Sequence, residues 1–154
     1  MRAKSDIKLS HMLLNSDDDY DLLLAAYHVQ QAAEKLLKSC LKELGINYTK
    51  THDISSLLNL LPENQDYFES QDLVRFYEKA PLLSEWESKA RYVEGYFVKY
   101  FIVKDLCDFV SNYIKSVEEK FTEIDKLNNE KSNIDSSVRS DADTPDWLNR
   151  ASAE

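Results

Sequence analysis

Tyr27-His-Val-Gln-Gln-Ala-Ala-Glu-Lys-Leu-Leu-Lys38 decides how this chain folds, because its apolar residues recur at helical spacing and its flanks continue the pattern. Wound at 3.6 residues per turn from Leu22 to Leu44, the segment gathers Leu22, Ala25, Ala26, Val29, Ala32, Ala33, Leu36, Leu37, Cys40, Leu41 and Leu44 onto one broad arc. Gln30 falls inside that arc and Glu34 at its edge, while His28, Gln31, Lys35, Lys38 and Lys42 line the opposite side. An amide buried without partners costs about 1–3 kcal/mol. The fold must therefore satisfy Gln30, present it at an interface, or use it.

Working outward, Ser16 and Asp17 to Asp19 supply a cap and negative charge at the start of this helix, and Gly45 supplies its stop. Residues 1–15 read as a short arm in which Leu9, His11, Met12 and Leu13 form a turn or two of helix. The segment His52 to Leu61 reads as a short helix capped by Thr51 or Asp53 and closed by Pro62. A third helix is expected from Gln71 to Lys79, ending before Pro81, which suits the first turn of a fourth through Arg91. From Val93 on, Tyr96, Val103, Leu106, Val110, Tyr113, Val117 and Ile124 recur at threes and fours, the pattern of a long helix running to about Leu127. Beyond it, residues 129–154 are rich in Ser, Asp and Asn, so an acidic, disordered tail is expected, with Thr144 to Leu148 as its one candidate docked turn.

Composition narrows the class to all-α. The 154 residues contain two glycines and three prolines, too few for the tight turns of sheets or Gly-rich phosphate loops. No apolar run approaches the length of a membrane span. Met1 to Ser10 lacks a signal-peptide core, and a cytoplasmic location is the expectation. Cys40 and Cys107 fall at inward or flanking helical positions and read as buried thiols rather than a disulfide. His11, His28 and His52 lie far apart with no ligand cluster, so neither a metal nor another cofactor is expected.

Charge weighs against one partner class. The chain carries −9, and residues 1–128 alone, with 22 acids against 16 bases, carry −6. A protein gripping duplex DNA through its phosphates is usually basic, so any nucleic-acid role must use a local patch.

Three ordered blocks carry a family resemblance: Ala26-Tyr-His-Val-Gln-Gln-Ala-Ala-Glu-Lys-Leu-Leu-Lys38, Thr51-His-Asp-Ile-Ser-Ser-Leu-Leu58, and Ala90-Arg-Tyr-Val-Glu94 opening a long helix. Over residues 16–128 the chain resembles the HEPN family, higher eukaryote and prokaryote nucleotide-binding domains. The resemblance implies an antiparallel up-and-down bundle of four to five helices, usually a homodimer. It also implies nucleotide binding, metal-independent RNA cleavage, or partnership with a minimal nucleotidyltransferase in toxin–antitoxin pairs. Active family ribonucleases place a histidine after an arginine with four to six residues between. Arg91 matches the arginine, but Tyr96, Phe97 and Val98 occupy the three histidine positions. An unperturbed tyrosine, with a pKa of about 10, is a poor base.

The reading adopted is a homodimeric binding module with a nucleotide or RNA pocket around Gln30, Glu34, Arg91 and Tyr92. The competing class is a ribonuclease using Arg91 with Tyr96 or His52, and a third is a protein-docking partner of a nucleotidyltransferase. For each residue a structural role stands beside the functional one. Gln30 and Glu34 can satisfy helix or partner backbone, Arg91 can pair with Glu34 or Glu94, His52 can serve a helix start, and the tyrosines can be core aromatics.

Overall fold

A computed structural model describes residues 1–141, with side chains to residue 138. The described residues are all-α: α1 spans Ala3–Leu13, α2 Asp19–Glu43, α3 Ile54–Leu58, α4 Ser70–Tyr92 and α5 Tyr100–Asp141. Residues 1–118 form one compact unit, and the remainder of α5 belongs to a second. In that second unit Leu127, Ile134 and Val138 are exposed.

Helix α2 is the centre of the first unit. The Asp18 side chain accepts from the Tyr20 amide at 2.7 Å, and Asp19 and Asp21 put negative charge at the positive end of the helix dipole. At the other end Gly45, at φ +69°, turns the chain so that the Ile46 amide reaches the Leu41 carbonyl and the Gly45 amide reaches Lys42. Between these caps the apolar arc from Ala25 to Leu41 is fully buried, whereas Leu22 and Leu44 at its ends are only half-buried. Facing it are Phe76, Ala80, Leu83 and Trp86 of α4, and Val103, Leu106, Cys107 and Val110 of α5 are buried as well. Cys40 and Cys107 are both buried.

Four expectations change. Residues 1–15 are not a loose arm: α1 makes three turns and packs on α2. Its contact is partly polar, with Asp6 accepting from His28 at 3.1 Å and Lys35 at 2.6 Å, and the Ser10 hydroxyl donating to the Ala25 carbonyl at 3.1 Å. His28 and Lys35 are thereby drawn off the solvated side. The helices expected on either side of Pro81 are one helix, α4. Pro81 offers no N–H to the Tyr77 carbonyl, but both residues are exposed, so the lost helix bond falls on the solvent side of α4 rather than in the core.

The long helix starts seven residues later than expected, at Tyr100. Val93 leaves the α4 conformation, the Tyr96 amide closes a turn onto the Val93 carbonyl, and Gly95 takes φ +75° within it. Arg91 therefore sits in the last turn of α4 and not at the opening of α5. Finally, α5 continues past Leu127 to Asp141, so the first part of the expected tail is helical. The Thr144 to Leu148 turn lies outside the described residues.

Candidate functional site

The residues singled out in the sequence fall into two groups, which share helix α2. The first is centred on Glu34. Its carboxylate, on a nearly buried side chain, accepts from Gln30 Nε2 at 3.0 Å, Lys38 Nζ at 2.7 Å and His52 Nδ1 at 3.1 Å. Burial pushes this carboxyl up, and the three hydrogen bonds with the Lys38 charge outweigh it, holding it below its ordinary value. It is an anion at neutral pH and can only accept, so His52 must present Nδ1–H to it. The Gln30 amide, 0 % exposed, also donates to the His52 carbonyl at 3.4 Å and accepts from Gln31 Nε2 at 2.7 Å.

With both amide hydrogens donated and its oxygen accepting, buried Gln30 is engaged by the protein's own groups. The buried amide ties α2 to the loop that leads into α3. That loop is fixed from its other end too: Asp53 caps α3 by accepting from the Ser55 and Ser56 amides at 3.2 Å, and Ser84 of α4 donates to Asp53 at 3.1 Å. Of this group only the His52 imidazole is half-exposed.

The second group is centred on Arg91. The structural alternative for Arg91 named Glu34 or Glu94 as its partner; instead the guanidinium bonds Glu87, one turn back on α4, through Nη2 to Oε1 at 2.7 Å and Nε to the backbone carbonyl at 3.0 Å. Its Cζ lies 4.3 Å from the Tyr27 ring centroid and 4.6 Å from that of Tyr92. Tyr27 and Glu34 are seven residues apart on α2, a rise of about 10 Å, so the two groups stand about two helical turns apart. Gln30 and Glu34 do not converge with Arg91 and Tyr92 on one pocket.

Arg91 and Tyr92 line a recess of about 400 Å³ whose other walls include Asp19, Tyr20, Glu94 and Tyr96. Tyr92 is 72 % exposed and Tyr20 82 %. Tyr96 donates to Glu85 at 3.2 Å, and its indole neighbour Trp86 lies near the same hydroxyl with its buried N–H short of hydrogen-bond geometry. Burial and the adjacent Glu85 hold the Tyr96 phenol above its ordinary value. It is a donor at neutral pH, not a base.

Sequence reasoning missed Tyr27 and Glu87. Tyr27 was hidden because it flanks the apolar arc, although its place one turn from Gln30 and Gln31 was a usable signal. Glu87 to Arg91 is a plain i, i+4 pair. No group of His, Cys, Asp and Glu among the described residues has the geometry of a metal site.

The family model described as HEPN domain matches residues 1–120, a span that includes α1. No curated protein and no solved structure matches the chain.

Proposed function

The chain belongs to the HEPN family, and from that premise we propose that it is a homodimeric nucleotide- or RNA-binding module that does not cleave RNA, with Arg91 and Tyr92 as its gripping pair. One observation carries the reading: an arginine in contact with two tyrosine rings lines a recess together with one of them, Tyr92, which is mostly exposed. The guanidinium is pre-oriented by Tyr27 and Glu87, which lowers the ordering cost of meeting a phosphate, and the free face of Tyr92 offers a base a stacking surface. Asp19 and Glu94 in the same walls oppose an anion. Affinity should therefore be modest and salt-sensitive.

Non-cleavage follows from the residues after Arg91. Phe97 is exposed, Val98 is buried, and Tyr96 is a hydrogen-bond donor, so none of the three can move protons near pH 7. Dimerisation is favoured by the run from Tyr92 to Phe101, where Tyr92, Val93, Phe97, Tyr100 and Phe101 are 49–72 % exposed. Five large apolar side chains in ten residues of surface mark an interaction face.

Calorimetric titration with purine nucleotides at low and moderate salt tests the reading. Heat should be seen with the natural chain, be lost in Arg91→Ala, and persist in Lys42→Ala, which alters an exposed lysine outside the recess. Light scattering should give twice the chain mass. No heat with any nucleotide, or equal loss in both variants, leaves Arg91 a structural residue.

A ribonuclease reading draws on one observation: buried Glu34 fixes Nδ1 of His52 and leaves the rest of that imidazole half-exposed, the arrangement of a carboxylate-oriented general base. RNA cleavage in chelator that disappears in His52→Ala would establish it in place of the non-cleaving module.

A further inference from the structure

A second concave surface lies between α1 and the first part of α5, within residues 1–118. It is a groove of about 590 Å³. Ile7 and Ile114, almost fully buried, form its floor, and Met12, 62 % exposed, stands on its rim. Lys4 and Lys8 project along the α1 wall and Lys115 along the α5 wall. In a chain of net charge −9, three lysines around one apolar floor are a local reversal of sign.

The lysines differ in how far they are committed. Lys4 is paired with Glu118 at 2.6 Å, at one end of the groove. Lys8 and Lys115 form no ion pair among the described residues, whereas Lys35, Lys38, Lys79, Lys89 and Lys104 each hold a carboxylate. Two uncommitted cations on opposite walls of an apolar trough call for a ligand that is apolar along one side and anionic along both edges.

We propose that this groove is a docking site for an acidic amphipathic helix of a partner protein. The dimensions fit that occupant. From Lys4 to Asn15 the wall formed by α1 and the turn that follows it covers twelve residues, about 16 Å, or three turns of a helix laid alongside it. Three turns present apolar anchors at i, i+3 or i+4, and i+7 to the floor, and carboxylates beside them reach Lys8 and Lys115. Met12 adapts to anchors of different shape because its thioether chain is unbranched and flexible. Nucleic acid fits less well: the one ring lining the groove is the His11 imidazole, with no Phe, Tyr or Trp platform on which successive bases could stack, and the floor between the lysines is isoleucine. This site is separate from the Arg91 recess, and its failure would leave that reading untouched.

The probe is a fluorescein-labelled, acetylated and amidated 15-residue helix with leucine at four positions of one stripe and mostly glutamate elsewhere, titrated with the full chain and followed by anisotropy. Saturable binding is expected. It should weaken on the order of tenfold in Lys8→Glu/Lys115→Glu, fall with added salt, and stay unchanged in Lys50→Glu, an exposed lysine outside the groove. Met12→Ser should weaken it too, because the apolar anchor loses its rim contact. All four altered residues are exposed, and circular dichroism confirms that each variant folds. The proposal is overturned if the peptide does not bind, if a peptide with lysine in place of glutamate binds equally, or if the groove and control variants bind alike. Displacement of the bound peptide by single-stranded oligonucleotide, but not by excess unlabelled acidic helix, would reassign the groove to nucleic acid.

Discussion

The polar cluster around Glu34 and the recess around Arg91 share helix α2 and draw on similar residue types, a carboxylate, a cation and an uncharged polar neighbour in each. They differ in what is left over. At Glu34 four side chains and a backbone carbonyl meet inside the bundle, and only the imidazole of His52 has a half-exposed side. At Arg91 the guanidinium is fixed by Glu87 and Tyr27, yet Tyr92 and Tyr20 beside it remain open to solvent. A buried polar residue marks a place where the fold needs a partner. A pre-oriented charge with an uncovered aromatic face marks a place where a ligand can supply one.

That contrast can be broken most directly by mutation. Glu34→Leu should lower unfolding free energy by about 2–3 kcal/mol in urea, because Gln30 loses its acceptor inside the core while half-buried Lys38 turns to water. Arg91→Ala should cost about 1 kcal/mol or less, the worth of an exposed pair and a ring contact. Equal losses would mean that the recess is as structural as the cluster.

A smaller effect sharpens the same contrast through pH. The folded Glu34 carboxyl titrates below its ordinary 4.5, so its contribution is present above that value and disappears as pH falls through the folded one. Urea midpoints of the natural chain should therefore drop between about pH 5 and pH 3 more steeply than those of Glu34→Gln. Parallel curves would remove the ionised carboxylate from the account of stability.

The smallest change is expected from Tyr96→Phe. It deletes one hydrogen bond to a half-exposed glutamate, worth below about 1 kcal/mol, and nucleotide binding should be unaltered. A loss of binding comparable to that of Arg91→Ala would place the Tyr96 hydroxyl among the gripping groups.

How much of this was legible depends on the kind of signal. The α2 arc was readable because a 3.6-residue apolar period has one structural meaning, and Asp18 and Gly45 bounded it with local chemistry. Helix α1 was not, because Asp6 and Ser10 occupy inward positions that an apolar stripe would fill, and their partners His28 and Ala25 lie on another helix. Pro81 carries a strong breaking signal, which the exposed side of α4 cancels. The turn at Gly95 is the opposite case: the tyrosines and valines around it follow a helical period, yet Val93 is extended and Gly95 takes a positive φ between α4 and α5.

The candidate site was half legible. Arg91 and Tyr92 could be picked out, but grouping them with Gln30 and Glu34 required distances across helices that periodicity does not contain. Gln65 shows the same limit on a small scale. Its buried side chain accepts from the Tyr67 and Phe68 amides at 2.8 Å and donates to the Phe68 carbonyl at 2.6 Å, standing in for a missing turn of backbone pairing. No composition rule announces that.

The link between α1 and α2 has a bearing on the order of assembly. Only Leu14 to Asp18 separate the two helices, so bringing Asp6 to His28 closes a short loop at little entropic cost. The Asp53–Ser84 and Tyr113–Asp72 contacts join segments 31 and 41 residues apart and close much longer ones. Where loop closure dominates the search, this hairpin is expected to form early and to supply the α1 wall of the lysine groove ahead of α5.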